Sequence, residues 1–279
     1  MNPKLFDEIL LAALREDMPF GDLSSEAVFD KSHTSTARLL AKADGVICGL
    51  ELFFRVFALL GDGLSGREVF FADGNTVRKG DVIAVFSGRT LDLLAGERTG
   101  LNLLQHLSGI ATQTAAALAA TAGTGVIITE TRKTLPNLRA LQKYAVRTGG
   151  GRNHRFSLSD AVMLKDNHID AAGGIAPAVA KVRAAVGHTV KVEVEARSLE
   201  EVRQSLEAGA DIIMPDNMQP QEMRAAAALV NHRAIVEASG GITLDNIREY
   251  AETGVDVISL GALTHSVRAL DISMQIILN

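Results

Sequence analysis

A chain of 279 residues with one cysteine, Cys48, and no tryptophan excludes several classes of protein at once. One thiol forms no internal disulfide and no cysteine-rich zinc site, which fits a reducing, cytoplasmic setting. Aromatic residues make up only 4%, too few for the stacking platforms on which single-stranded nucleic-acid binding relies. No run of about 18 apolar residues occurs, so no segment reads as a membrane span. The first residues, "MNPKLFDEILLAALREDM", lack the basic start and small-residue cleavage site of a signal peptide. Leu5, Phe6, Ile9, Leu10 and Ala13 fall instead at the spacing of an amphipathic helix. Positive charge is also in deficit: 28 Lys and Arg against 33 Asp and Glu give a net charge of −5. That disfavours a general role on nucleic acid or on anionic membranes.

What is present is a substantial apolar fraction, 47%, enough for one large domain or a small one plus a large one. The first hundred residues have a mixed texture. "KADGVICGL" reads as a short strand between glycines, and "LFFRVFALLGDG" as a helix closed by Gly61. "FFADGNTVRKGDVIAVFSGRT" reads as hairpins broken at Asp-Gly, Lys-Gly and Ser-Gly. A long helix is expected over about Leu94 to Ala122.

From Val126 apolar β-type runs alternate with helical patterns. The runs are 126–130, 161–166, 189–196, 210–217, 234–241 and 255–262. Near-continuous apolar strands between amphipathic helices imply a parallel α/β sheet covered on both faces. The spacing fits a (β/α) barrel. A doubly wound open sheet is the alternative, weakened by the lack of a GxGxxG after the first strand. The tail, Ser266 to Asn279, reads as a final helix.

Polar residues recur at the C-terminal ends of these runs: Arg132 and Lys133, Lys165 and Asp166, Glu193 and Glu195, Asp216 and Asn217, and Ser239 with Gly240 and Gly241. In a parallel barrel those ends share one face, where active sites sit. The acidic chain also concentrates positive charge: residues 130–155 hold seven of its Lys and Arg, one His and one acid. Arg132 and Lys133 stand at a strand exit, and His154 and Arg155 follow a Gly149–Gly151 turn. Arg is suited to bidentate carboxylate and phosphate contacts. Arg139, Lys143 and Arg147 lie on the helix between, where a solvated helix face is the plainer expectation. Lys165 needs a partner on leaving a buried run, and a neighbouring strand's acid would serve as well as a substrate.

Glu193 and Glu195 point to the same side of their strand, so the pair repels unless a cation stands nearby. Glu193 could equally be a structural partner for a basic residue. Glu195 and Asp216 could bind Mg²⁺, hydroxyl groups or a developing positive charge. Ser239, Gly240, Gly241, Gly261 and Ala262 offer backbone amides in the last two strand-helix loops, a common place for phosphate in barrels. His265 and Ser266 stand beside them. The sum is a pocket for a polyanion with a sugar or metal component, suited to group transfer on a phosphosugar.

With these residues assembled, the chain resembles the quinolinate phosphoribosyltransferase family over nearly its full length. The resemblance is carried by "REDMPFGDLSSEAV", "DGVICGL", "ERTGLNLLQHLSGIAT", "TRKTLPNLRALQKYAVRTGGGRNHR", "LKDNHI", "VEVE", "GADIIMPDN", "EASGGI" and "GVDVISLGALTHSVRALDIS". It implies an N-terminal α/β sandwich domain, residues 1–107 joined by a C-terminal helix 267–279, and an incomplete, seven-stranded α/β barrel over 108–266. It implies a cytoplasmic homodimer, sometimes a larger assembly, and a Mg²⁺-dependent reaction of quinolinate with phosphoribosyl pyrophosphate in NAD biosynthesis. By the matching motifs, Arg132, His154 and Arg155 would hold the quinolinate carboxylates, and Arg98 would reach in from the partner subunit. Lys133 and Lys165 would balance pyrophosphate and substrate charge. Glu195 and Asp216 would face the ribose and its Mg²⁺. Ser239, Gly240, Gly261 and His265 would cradle the 5′-phosphate.

The chain departs from the family pattern at Glu130, usually Asp, at "TLPN", commonly "TTPG", at Pro215 and at Thr148. Pro215 is expected to shift Asp216 slightly. Two alternatives stay open. A non-catalytic or transport-accessory relative on the same scaffold should have lost Lys165, Glu195 or Asp216, and all three are present. A nicotinate-using phosphoribosyltransferase should need fewer cations.

Overall fold

The structure, a computed structural model, describes residues 1–61 and 63–277. A 3₁₀ turn at Pro3–Phe6 leads into α1 (Asp7–Asp17) and α2 (Leu23–Val28). Then come β1 (Thr34–Ala41), β2 (Gly45–Val46), α3 (Leu50–Leu60), β3 (Leu64–Val69), β4 (Thr76–Val77), β5 (Val82–Arg89) and the long α4 (Thr90–Ala120). Strands and helices then alternate: β6 (Ile127–Thr129), α5 (Arg139–Thr148), β7 (Val162–Leu164), α6 (Asp166–Ala172), α7 (Ile175–Ala185), β8 (Val192–Ala196), α8 (Leu199–Glu207), β9 (Ile212–Pro215), α9 (Pro220–Val230), β10 (Ile235–Ser239), α10 (Ile247–Ala251), β11 (Val257–Ser259) and α11 (Ala262–His265). The last described element is β12 (Ile272–Ile277). Among the described residues no helix is long and apolar enough to cross a membrane.

The chain divides into two compact units. The first takes Met1–Gln113, Pro136–Gly150 and the chain from Val267 on; the second takes Thr114–Leu135 and Gly151–Ser266. In the first, an antiparallel sheet runs in the order β12-β1-β5-β3. Strand β1 alternates, with Ala37, Leu39 and Ala41 buried between more exposed neighbours, the period-2 pattern of a strand with one face on a core. Helix α3 sets Phe53, Phe54 and Phe57 around Phe86 of β5, with ring centroids 5.1 Å to 5.7 Å apart. Such contacts contribute about 0.5–1.5 kcal/mol per pair beyond area burial. Four of the ten phenylalanines of an aromatic-poor chain are therefore core, not a stacking surface.

The tail corrects an expectation. Residues 267–279 were expected to form a helix, yet Ile272–Ile277 is a strand, paired antiparallel with β1 from Ala41↔Ile272 to Thr36↔Ile277. Its apolar residues Ile272, Met274 and Ile276 stand two apart. They therefore share one strand face, which joins the core of the first unit. Residues 278 and 279 of that expected helix lie outside the described residues.

Helix α5, which links the two basic clusters, packs with the first unit although both clusters belong to the second. Asp73 receives the Gly49 and Leu50 backbone N–H groups, each at 3.0 Å, and the Tyr144 hydroxyl at 2.7 Å. One carboxylate thus caps α3 and fastens α5. Gln142 of α5 meets His106 of α4 at 2.8 Å. The solvated face expected for α5 holds for Arg147 but not for Lys143, whose side chain is buried.

The second unit is built on a six-stranded sheet in the order β6-β11-β10-β9-β8-β7, parallel throughout. All six runs that alternate with helices in the sequence form these strands. The seventh strand implied by the resemblance is not formed as an element among the described residues. One parallel bridge, Thr129↔Arg152, runs along the free side of β6 in its place.

Candidate active site

Register decides which side chains meet. Across the sheet Glu195 lies opposite Met214, Glu237 opposite Val257, Ser239 opposite Ser259, and Ser259 opposite Thr129. Single bridges set Asp216 opposite Ser239 and Arg152 opposite Thr129. With side chains alternating along each strand, Glu193, Glu195, Asp216, Glu237, Ser239, Ser259 and Thr129 all share one face. Their hydrophobic neighbours Val192, Val194, Ile213, Val236, Ala238, Ile258 and Ile128 take the other, and are buried.

Three clusters form at the C-terminal ends of these strands. The first gathers Arg132, His154 and Arg155 around buried acids. His154 Nε2 stands 3.4 Å from Glu193 Oε2 and 3.2 Å from Glu237 Oε1. Burial opposes a charge on the imidazole, but the two carboxylates outweigh it and push its pKa up to about 10. The Arg155 backbone N–H donates to Nδ1 at 2.7 Å, so in this geometry Nδ1 accepts and Nε2 carries the ring N–H that faces the two acids. Burial raises the pKa of Glu193. Burial, and then the positive charge of Arg132, lowers that of Arg155. Among the described residues, Arg132 Nε and Arg155 Nε are buried without a hydrogen-bond partner. Glu193 Oε1 and Glu237 Oε1 are likewise buried without a hydrogen-bond partner.

The second cluster pairs Lys165 with Glu195 across adjacent strands, as β7 and β8 register requires. The neighbouring acid that could serve Lys165 in place of a substrate is thus present, on an exposed lysine within the site. Asp216 leaves β9 beside it, with its N–H on Ala196 O at 2.9 Å and its bridge to Ser239. Pro215 therefore leaves Asp216 tied to the strands on both sides.

The third cluster joins Lys133, Gly261 and His265. The Thr264 hydroxyl donates to Lys133 O at 2.9 Å, and a Cβ on Gly261 would lie 3.0 Å from both Lys133 Cδ and His265 Cδ2. In the adjoining loop Gly240 has φ +92°, and a Cβ there would fall 2.2 Å from Asn217 Oδ1. Only glycine serves at that position.

Arg98 stands apart from these clusters in the sequence of elements: it lies on α4 in the first unit and is exposed. Glu237, Glu130, Thr129 and Ser259 escape the sequence reading. The signal for Glu237 is available, since it precedes Ser239 by two residues as Glu193 precedes Glu195. Glu130 is fully buried, and its carboxylate accepts from Asn153 Nδ2 at 2.9 Å and from the His154 N–H at 3.2 Å.

Asn137 explains one departure from the family pattern. Its φ is +63°, the left-handed region that Gly enters freely and that Asn tolerates best among other residues. Asn137→Ala should lower stability by about 1 kcal/mol, whereas Asn137→Gly should stay within a few tenths. Urea denaturation midpoints of the two variants check this.

The fold and site together define a class: an α/β protein with basic and acidic side chains gathered at the ends of parallel strands. The family model for the N-terminal domain of quinolinate phosphoribosyl transferase matches residues 22–108, and that for the C-terminal domain matches residues 110–275. A probable nicotinate-nucleotide pyrophosphorylase (carboxylating) of Bacillus subtilis is 45% identical over 279 residues, covering 100% of this chain and 96% of the relative. The human nicotinate-nucleotide pyrophosphorylase (carboxylating) is 40% identical, covering 98% and 93%. The crystal structure of NadC from Streptococcus pyogenes superposes with a TM-score of 0.95 at 44% identity, covering 99% and 97%. The chain belongs to the quinolinate phosphoribosyl transferase family.

Proposed function

We propose that this protein transfers the phosphoribosyl group of phosphoribosyl pyrophosphate to quinolinate and decarboxylates the product. The products are nicotinate mononucleotide, pyrophosphate and CO₂, a step of de novo NAD biosynthesis in the cytoplasm. The observation that carries this reading is the pair of buried Nε donors of Arg132 and Arg155 without hydrogen-bond partners among the described residues, in a chain whose strand-end loops hold close-packed glycines at 240 and 261. Two guanidiniums suit a substrate with two carboxylates; nicotinate has one.

Arg132 and Arg155 bind and orient quinolinate. Ser239, Gly240, Gly261 and His265 hold the 5′-phosphate, and Lys133 and Lys165 offset pyrophosphate and substrate charge. Glu195 and Asp216 are hard oxygen donors leaving adjacent strands on one face, a donor set that fits Mg²⁺. Magnesium held there would neutralise the pyrophosphate leaving group. As the C1′–O bond to pyrophosphate breaks, the ribose gains oxocarbenium character, which the same two carboxylates stabilise. The quinolinate nitrogen attacks C1′ and becomes a pyridinium. When the adjacent carboxylate departs as CO₂, the ring nitrogen stabilises the electron pair left on carbon, which then takes up a proton. Alignment and charge neutralisation dominate, and no general base is required for the attack.

In this reading the working form is a homodimer in which Arg98 of each subunit completes the partner's site. The test is CO₂ release from carboxyl-labelled quinolinate. Release should require both phosphoribosyl pyrophosphate and Mg²⁺, and should not be matched by nicotinate turnover assayed in parallel. A folded preparation that releases no CO₂ would falsify the assignment.

A further inference from the structure

His154 was expected to hold a substrate carboxylate, but both of its ring nitrogens are already engaged by the protein. Nδ1 takes the Arg155 N–H, and Nε2 faces Glu193 and Glu237. The imidazole is 10% exposed, against 2% and 4% for the two acids. Buried carboxylates so close to one another repel unless a proton-bearing group stands between them, and Nε2 fills that place. The ring is braced from β8 through Glu193 and from β10 through Glu237. Its own backbone N–H is held by Glu130, which follows β6. The ring in turn fixes the amide of Arg155. By contrast, Arg155 Nε and Arg132 Nε are buried without partners among the described residues. The Thr129 and Ser259 hydroxyls on this face are unpartnered too, but in this cluster the charged donors left for a ligand belong to the arginines.

We propose that His154 is a positioning residue and that Glu237, acting with Glu193, braces it, so that Arg155 is presented beside Arg132 to the two carboxylates of an aromatic dicarboxylate. This deepens the proposed function and rests on it for the identity of the ligand. Glu237 touches no substrate in this scheme. It acts through the imidazole, and its loss should fall on the dicarboxylate alone, leaving the phosphoribosyl donor unaffected.

The experiment compares Glu237→Ala, Glu237→Gln, His154→Ala and the double variant Glu237→Ala/His154→Ala with the unaltered protein. Three quantities are read: quinolinate dissociation constants by calorimetry, KM for each substrate, and thermal midpoints. Glu237→Ala should weaken quinolinate about tenfold to a hundredfold, with KM for phosphoribosyl pyrophosphate within about twofold. Glu237→Gln keeps the side-chain volume and an oxygen beside Nε2 but not the charge of the ion-pair contact, and should recover part of the loss. It also serves if the alanine variant fails to fold. The double variant should bind quinolinate no more weakly than His154→Ala, because the two residues act as one unit. Additive losses, equal losses for both substrates, or unchanged quinolinate binding in Glu237→Ala and Glu237→Gln would overturn the proposal. If the unaltered protein binds quinolinate but releases no CO₂, the catalytic reading falls while the brace stands on the binding data. If it does not bind quinolinate, both fall.

Discussion

Arg132→Ala should lower kcat/KM for quinolinate by about thirtyfold to several thousandfold while leaving KM for phosphoribosyl pyrophosphate nearly unchanged. The range follows from the roughly 2–5 kcal/mol cost of removing one partner of a desolvated, hydrogen-bonded charge pair, at about 1.4 kcal/mol per tenfold. The loss should be large here because the site concentrates positive charge. Arg155 already feels the charge of Arg132, so the pair is mutually unfavourable until a dianion arrives, and binding relieves that repulsion. Without Arg132 one carboxylate faces a cavity with no planar fork to match it. Arg132→Lys should recover part of the loss and not all of it, since an ammonium restores charge without bidentate geometry. Arg147→Ala, an exposed position on α5, is the control and should stay within about twofold, as surface changes away from such features usually do. Steady-state kinetics with each substrate varied in turn decide the matter. A near-normal specificity constant for quinolinate in Arg132→Ala removes the carboxylate role, and equal losses for both substrates point to general disruption.

The residues whose positions were legible in the sequence are those that stand at strand ends. Arg132, Lys133, Lys165, Glu195, Asp216 and Ser239 each close a strongly apolar run, and a parallel sheet must bring such ends to one face. What stayed hidden depends on pairing across the sheet. Glu237 sits inside "AIVEASGG", where one acid in an apolar run gives no local sign of its partner. Only the register of β10 against its neighbours and the return of residues 152–154 beside β6 bring it to His154. The same limit governs β12. Ile272, Met274 and Ile276 carry a strand's alternation, but a six-residue segment shows its state only once the open side of β1 is known. Helix α5 reads correctly as a helix, yet nothing in its pattern says that Tyr144 will find Asp73, 71 residues away. Charge on a helix likewise does not reveal burial, as Lys143 shows.

Two inactive proteins should regain activity when mixed. Arg98→Ala and Lys165→Ala should each be nearly inactive alone, the first lacking a cation supplied to the partner's site and the second lacking one in its own. If each site of a homodimer draws its sheet residues from one subunit and Arg98 from the other, a mixed dimer contains one intact site and one doubly altered site. Random exchange between equal amounts makes half of all dimers mixed, so about a quarter of the unaltered activity should return, as twofold symmetry of a closed dimer dictates. The recovered sites should have unaltered KM values for both substrates, which separates true complementation from a small gain in stability. Recovery should follow subunit exchange in time, measured by native mass spectrometry on one isotopically heavy partner, and should vanish when the dimers are cross-linked before mixing. The contrast depends on where Arg98 lies. It is exposed on α4 in the first unit, whereas Arg132, Arg155 and Lys165 belong to the second. An arginine completing the site of its own subunit would give no recovery at all, however complete the exchange. Demonstrated exchange with activity remaining at the level of the separate variants would therefore end the shared-site reading and leave Arg98 without a role in the partner.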